Sequence, residues 1–183
     1  MGRAGPAGVR RRLTSEGFVP VHYPWIVPKS PLLDLSPGEW AVLGLVAEGP
    51  THGFAVARVL ANDGAVGRVW SLPRPVVYQA LKKLALMQLV SERFTEPSDR
   101  GPRRTILTVT PKGRRQVSRW LEEPVDHVRD IRSLLMMKLA LLDRAGRDPG
   151  PLIKAQREHL APRVEGMARL RDNAEGFDRV LAE

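Results

Sequence analysis

The spacing of hydrophobic and polar positions changes twice along this chain, and each change marks a different predicted element. Between residues 36 and 86 the apolar positions recur at three- and four-residue steps, which is typical of amphipathic helices. In residues 89–95 and 103–109 the spacing falls to two, as in a half-buried hairpin. Helical spacing returns after residue 110. The order predicts three helices, a two-stranded hairpin and further helices.

The starts of the first two helices carry capping residues. Residues 36–39 are Ser-Pro-Gly-Glu, in which the serine caps, the proline suits the first helical position and the glutamate completes a capping box. Gly49-Pro50 ends this helix, and Thr51 is predicted to cap the next one.

The third helix is predicted to begin near Pro75 and to have two different faces. A buried stripe at positions i, i+3, i+4 and i+7 is formed by Val77, Ala80, Leu81 and Leu84. The opposite face carries Gln79, Lys82 and Lys83. A basic, polar face on a helix that precedes a hairpin is typical of the recognition helix of a winged helix-turn-helix.

The turn of the predicted hairpin is basic. It spans residues 97–102, and the wing tip carries Arg100, Arg103 and Arg104. Arginine at this position would enter a minor groove or pair with phosphates, whereas the alternative is a solvated turn. We therefore predict a mainly α protein with a small β-hairpin wing, in which a winged helix-turn-helix precedes a C-terminal α-helical dimerisation region.

The predicted helices of the last third have broad apolar faces. The first face contains Ile131, Leu134, Leu135, Leu139 and Leu142, and the second includes Val164 and Met167. A helix that is apolar over so much of its circumference must be covered on two sides, so we expect a dimer interface. The alternative is that both helices pack back onto their own subunit. Pro162 should kink the last helix or divide it.

Charge divides the chain into three segments. The net charge of +9 is made up of +3 in residues 1–34, +6 in residues 35–122 and zero in residues 123–183. The first segment contains five prolines and is predicted to be an extended basic arm. The second is the predicted winged helix-turn-helix, and the third the dimerisation region. A basic module joined to a charge-balanced one suggests polyanion binding, although arginine also serves simply to solvate a surface.

The composition argues against several classes of protein. The chain has no cysteine, which excludes disulfides and thiolate metal sites, and this suits a cytoplasmic location. The four histidines are scattered, and the polar residues at 126–130 before a helix are commonplace, so we expect no metal. No catalytic signature or phosphate loop is present, so we expect neither a cofactor nor an enzyme. No apolar run approaches ~18–20 residues, which argues against a membrane partner.

Several short motifs occur in one order over residues 40–122. They are Val42-Leu43-Gly44-Leu45 with Glu48-Gly49-Pro50, His52-Gly53-Phe54, the run 77–84, Leu89-Val90, Gly101-Pro102-Arg103-Arg104 and the run 107–113. In this order and spacing, the segment resembles the PadR-type winged helix-turn-helix transcriptional regulators. The resemblance implies a cytoplasmic homodimeric repressor whose C-terminal helices cross between subunits. Some members of the family release DNA when they bind aromatic or drug-like ligands.

The chain departs from the family pattern in three places. Pro75 and Val76 stand where the family often has a small residue and threonine, which affects the expected operator sequence. Ile106 and Leu107 replace an aromatic pair in the second wing strand. The proline-rich arm is not a general family feature, and it suggests an added contact.

The candidate functional residues fall into two groups. Candidates for contact with double-stranded DNA are Arg74, Tyr78, Gln79, Lys82, Lys83 and the wing arginines 100, 103 and 104. Glutamine pairs with adenine and lysine reaches guanine or phosphate, while the tyrosine ring would alternatively pack on the second helix. Candidates for a small-molecule effector site are Trp40, Trp120 and Met136. The alternative is that these side chains only pack in the core or at an interface.

Two other kinds of protein remain open at this stage. The first is a protein-interaction adaptor that uses a winged helix as a docking module and binds no specific DNA. The second is an RNA-binding protein, which would need exposed stacking aromatics, and the chain has only six tyrosine and tryptophan residues.

Overall fold

The computed structural model describes residues 32–96 and 104–173 of the chain. The α-helices and strands in these residues are α1 (Pro37–Ala47), α2 (Gly53–Val59), α3 (Arg74–Leu86), β1 (Val90–Glu96), β2 (Arg104–Val109), α4 (Pro111–Glu122), α5 (Met136–Arg144) and α6 (Gly150–Asn173). This order confirms the prediction of a mainly helical winged helix with further helices at its C-terminal end.

Helix α1 lies at the centre of the core. It begins at the predicted capping box, in which the Ser36 hydroxyl accepts from the Glu39 amide and the Glu39 carboxylate accepts from the Ser36 amide. Every residue from Trp40 to Val46 is buried. Helices α3, α4 and α5 pack around it, as expected for a helix that is apolar on all sides.

The predicted cap of α2 was wrong by one residue. His52, and not Thr51, is the N-cap, and its Nδ1 accepts from the Ala55 amide at 3.1 Å. Thr51 is extended and pairs with Leu107 of β2 through two backbone hydrogen bonds of 3.0 and 2.7 Å. Because this pairing holds Thr51 in extended backbone, the helix starts only after the next residue, and the wing is joined directly to α2.

A tight turn joins α3 to the wing. Gln88 has φ of 58°, in the left-handed region that side chains other than glycine rarely adopt. Its carbonyl accepts a 2.8 Å hydrogen bond from the Thr110 hydroxyl, which also caps α4. The turn places β1 against the end of α3, with β2 antiparallel to β1 from the pair Val90 and Val109 outward.

The helix α5 packs on the winged helix of its own chain. It follows a π-helical turn (Ile131–Leu135) without interruption, and its Met137, Leu141 and Leu142 are buried in the common core. At its end Arg144 makes a bidentate ion pair with Glu48, the residue that caps the end of α1, at 2.8 and 2.7 Å. That pairing raises the pKa of the Arg144 guanidinium, although burial opposes it.

The first half of α6 packs on the rest of the chain, whereas its second half carries exposed apolar side chains. Its first half contacts α4, and the buried Gln156 side chain makes two hydrogen bonds with the backbone of Val125. In its second half Val164, Met167 and Leu170 are 62%, 67% and 71% exposed. The helix continues through Pro162 and is not divided there. In the described residues, no helix combines the length and apolar character needed to cross a membrane.

Candidate nucleic-acid interface

The helix α3 buries one face and exposes the other. The predicted stripe of Val77, Ala80, Leu81 and Leu84 is buried against α1 and α2. Tyr78, Gln79 and Lys82 are exposed on the opposite side. The structure therefore brings these three candidate contact residues together on one polar surface.

The two adjacent lysines of α3 have different surroundings. The Lys83 ammonium lies 2.8 Å from the Glu39 carboxylate of the α1 capping box. Burial alone would raise the pKa of Glu39, but the hydrogen bonds from Lys83 and Ser36 outweigh it and bring this pKa below its ordinary value. Lys82 has no salt bridge within the described residues. Of the two lysines, Lys82 is thus the one without an acidic partner in the described residues.

Arg74, the first residue of α3, lies beside two aromatic rings. Its guanidinium carbon is 5.0 Å from the ring centre of Phe54 and 5.8 Å from that of Tyr78. Phe54 belongs to α2 and is 50% exposed. Phe54 is not recognisable as a functional residue from the sequence, because spacing shows only that it lies on a helix and not that it meets the start of another.

The close approach of α2 and α3 depends on Gly53. A Cβ atom built on Gly53 would lie 2.8 Å from Cε1 of Tyr78 and 3.2 Å from Cδ1 of Leu81. Glycine therefore allows the tyrosine ring to lie directly against the start of α2. The ring is held while its side chain remains 43% exposed.

The wing contributes a basic side chain, Arg93, in addition to the predicted arginines of its tip. Glu92 pairs with Leu107 and Phe94 pairs with the adjacent Ile106, so Arg93 is an extra residue in β1. It is exposed, and a bulge of this kind redirects a side chain. Alternation alone does not reveal such a bulge, since the extra residue is recognised only from the partner strand.

Only one of the three predicted wing-tip arginines, Arg104, lies within the described residues. Arg100 and Arg103 lie outside the described residues. Arg104 begins β2 and pairs through its backbone with Glu96 of β1. Their contact with DNA stays a prediction.

The two tryptophans proposed for an effector site stack on each other. Trp40 and Trp120 have ring centres 5.1 Å apart and an interplanar angle of 5°, and each is 4% exposed. The ammonium of Lys138 lies 4.7 Å from the centre of the Trp120 ring and donates to the Glu123 carbonyl at 2.6 Å. Met136, the third candidate, is exposed at the start of α5. An effector would have to separate the two rings to stack between them.

The buried ammonium of Lys138 predicts a measurable pH dependence of stability. Burial lowers the pKa of Lys138 from 10.5 to about 8, although Glu123 and Asp126 act to raise it. Since the unfolded chain keeps this proton to higher pH than the folded chain does, stability should increase above pH 8. We expect the free energy of unfolding of the wild type to rise by roughly 2 kcal/mol relative to Lys138→Met between about pH 8 and pH 10.

Chemical denaturation at several pH values measures this difference. Lys154→Met removes an exposed lysine of α6 and is the matched control, whose stability should follow that of the wild type. Parallel curves for the wild type and Lys138→Met would show that burial of Lys138 has no effect on its proton affinity.

The described residues offer no obvious metal chemistry. Residues 32–96 and 104–173 contain no group of three or more histidine, aspartate or glutamate side chains placed to hold a metal ion. The surface formed by α3, the start of α2 and the wing instead offers amide, ammonium and guanidinium donors. Such donors suit the acceptor groups of nucleic-acid bases and phosphates.

Comparison with known proteins gives matches of two kinds. Residues 42–119 match the model of the Transcriptional regulator PadR-like family. Among solved structures, the PadR protein of Bacillus subtilis in complex with operator DNA is similar, with 18% identity, a TM-score of 0.46, and coverage of 79% of this chain and 85% of that one.

Two further solved structures come from Streptococcus mutans UA159. The smu.1704 protein is 20% identical with a TM-score of 0.38 and covers 50% of this chain and 77% of its own. The smu.1604c protein is 20% identical with a TM-score of 0.43, and the coverage is 74% and 76%. No curated protein matches the chain.

Proposed function

We propose, because residues 42–119 match the model of the PadR-like family of transcriptional regulators, that the protein is a homodimeric repressor that binds duplex DNA sequence-specifically. Helix α3 is the recognition helix and enters a major groove. The wing lies along the neighbouring backbone. Two copies of the chain then occupy half-sites about one helical turn apart.

The exposed face of α3 is the observation that carries this proposal. Gln79 offers both a donor and an acceptor, as does the adenine edge in the major groove, and Lys82 offers a donor to guanine or phosphate. Arg74 and Tyr78 extend the same surface toward the N-terminal end of the helix, where recognition helices contact base edges. We propose a smaller part for Lys83, whose ammonium is paired with Glu39.

We propose that the wing contributes affinity more than sequence preference. Arg100, Arg103 and Arg104 at its tip would contact phosphates or a minor groove. Arg93 extends this basic edge along β1. Phosphate contacts release counterions, so the affinity should depend steeply on salt.

An apolar groove supports the proposal of a homodimer. It lies between the turn at Ile131 and Leu135 and the helix α6, where Ile153, Leu160 and Val164 line it, and its volume is about 550 Å³. The exposed stripe of α6 continues beyond the groove through Met167. One chain thus supplies both a groove and a ridge, which are the parts of a self-complementary, two-fold interface.

The residues predicted for dimerisation differ in what they offer to a second copy. Val164 and Met167 are exposed, and Ile131, Leu134 and Leu139 are half-buried. Leu135 and Leu142 are buried within their own chain. We propose that the first five contact the partner, while Leu135 and Leu142 support the interface from beneath.

We also propose how the protein represses transcription and how a ligand would release it from DNA. A dimer bound over a promoter would exclude the transcription machinery from it. Release by a small aromatic ligand at Trp40, Trp120 and Met136 would require opening the tryptophan stack. Because α1 carries one ring and α4 the other, separating them would change how the core holds α3.

Salt-titrated fluorescence anisotropy tests sequence-specific binding. The probes are a duplex that the wild-type protein enriches from a random pool and a shuffled duplex of the same composition. We expect the enriched duplex to bind at least about 1,000-fold more tightly at physiological salt, with both affinities falling as salt increases. Equal binding that salt abolishes for both duplexes would contradict the proposal and favour a protein-interaction adaptor with a basic surface.

A further inference from the structure

The guanidinium of Arg74 lies within cation–π distance of two aromatic side chains that come from different helices. Phe54 of α2 and Tyr78 of α3 place their ring centres 5.0 and 5.8 Å from its central carbon. Tyr78 lies four residues after Arg74, on the same face of α3. We call Phe54, Arg74 and Tyr78 the arginine clamp.

Phe54 has no evident part in stabilising the fold. Half of its surface is exposed, whereas its helix neighbours Val56 and Ala57 are buried in the core. Its ring lies near that of His52, with the ring centres 6.3 Å apart. A phenylalanine left on the surface beside an arginine is thus explained better by the contact with Arg74 than by the core.

The clamp leaves the donors of Arg74 available. An aromatic ring attracts a guanidinium through its face, and the five N–H groups point outward in the guanidinium plane. Among the described residues Arg74 makes no salt bridge. Two aromatic rings therefore lie beside the guanidinium, while Arg74 itself remains exposed.

From this geometry we propose that Phe54 is a specificity-determining positioning residue, which holds Arg74 so that it donates two hydrogen bonds to O6 and N7 of a guanine. The proposal rests on the proposed function, since it presupposes that α3 enters a major groove. Arginine pairs with the guanine edge in this bidentate way. Arg74 is at the N-terminal end of α3, the part of a recognition helix that contacts bases.

The physical advantage of the clamp is preorganisation. A free arginine side chain loses rotamer freedom when it is fixed on a base, and that loss weakens binding. Contacts with Phe54 and Tyr78 restrict the side chain before DNA arrives. Phe54 itself has no polar side-chain atom, so we expect its effect on guanine preference to act through Arg74, the hydrogen-bond donor beside its ring.

Three substitutions at Phe54 separate the clamp from other roles. Phe54→Tyr keeps the ring and should retain wild-type affinity for the enriched duplex. Phe54→Ala and Phe54→Leu remove the ring, and each should weaken binding about fivefold for each half-site. Phe54→Leu keeps an apolar side chain, so it would bind like the wild type if the role of Phe54 were contact with a thymine methyl. Because Phe54 is half exposed, the melting temperatures should remain close to that of the wild type.

The enriched duplex with 7-deazaguanine at each guanine of a half-site, one at a time, identifies the base. This analogue lacks the N7 acceptor. At one position we expect the analogue to lower the affinity of the wild type about tenfold. The same analogue should not lower the affinity of Arg74→Ala below its affinity for the unmodified duplex. Phe54→Ala should show an intermediate loss at the same position, and its effect should vanish when combined with Arg74→Ala.

Several results would overturn the clamp. Phe54→Ala or Phe54→Leu binding like the wild type, or an effect of Phe54→Ala that persists in the Arg74→Ala background, would each exclude it. The clamp would also be excluded if 7-deazaguanine lowered the affinity of the wild type and that of Arg74→Ala by the same factor. Failure of the wild type to prefer any duplex would instead refute the proposed function, and the clamp with it.

Discussion

Replacing Gln79 and Lys82 together by alanine is expected to lower the affinity for the enriched duplex by about 1,000-fold. Each contact of a side chain with a base contributes on the order of 1–3 kcal/mol to binding. The double substitution removes two such contacts from each subunit of a homodimer, and the lower value already gives a loss of this size. The two positions are exposed on α3, away from its buried stripe. The melting temperature should therefore change little, and anisotropy titration measures the loss.

Two controls show whether the effect belongs to this surface. Arg115→Ala removes a positive charge from an exposed position of α4 and should change the affinity only slightly. Lys83→Ala should have a smaller effect than Lys82→Ala, because Lys83 is already paired with Glu39. If the double variant retains the affinity of Arg115→Ala, the recognition surface does not lie on this face of α3.

Val164→Asp combined with Met167→Asp is expected to give monomers and to weaken operator binding by at least about 100-fold. In a dimer, binding of one subunit to its half-site holds the other subunit close to the second half-site. Separating the subunits removes this effect, which increases the affinity by roughly 10²–10⁴. Both side chains are exposed in the second half of α6, so the fold of the single chain should survive. Sedimentation or light scattering measures the oligomeric state.

The matched control lies on the opposite side of the same helix. Glu158→Lys changes the charge by two units at an exposed position of α6, yet it should leave both the oligomeric state and the DNA affinity nearly unchanged. A double aspartate variant that still forms dimers would exclude the exposed stripe of α6 from the interface.

The elements that local sequence determines could be predicted. The capping box of α1 is fixed by the four neighbouring residues from Ser36 to Glu39, and it was predicted from them. The cap of α2 was the exception. Thr51 is a good capping residue in isolation, but its backbone pairs with Leu107, 56 positions later, and His52 caps the helix instead.

The contacts that shape the candidate interface join residues far apart in the chain. Glu39 meets Lys83, and Phe54 meets Arg74, across different helices. Helical spacing identified the exposed face of α3, but it could not show which of two lysines is paired. Nor could it show that an exposed phenylalanine orients an arginine, since that depends on the packing of α2 against α3.

The C-terminal helices illustrate a second limit of sequence patterns. An apolar face shows that a helix must be covered, but not which surface covers it. Leu141 and Leu142 of α5 are covered by their own chain, whereas the stripe of α6 at Val164 and Met167 is exposed. The two helices have similar patterns, and only the tertiary packing distinguishes them.

The sequences that the wild-type protein enriches from random duplexes test its role as a dimeric DNA-binding regulator most directly. We expect an inverted repeat whose half-sites are centred about 10 base pairs apart, because two copies of α3 must enter successive major grooves on one side of the duplex. A pool without a shared motif, or one with a single half-site and no symmetry, would contradict binding by a homodimer through α3.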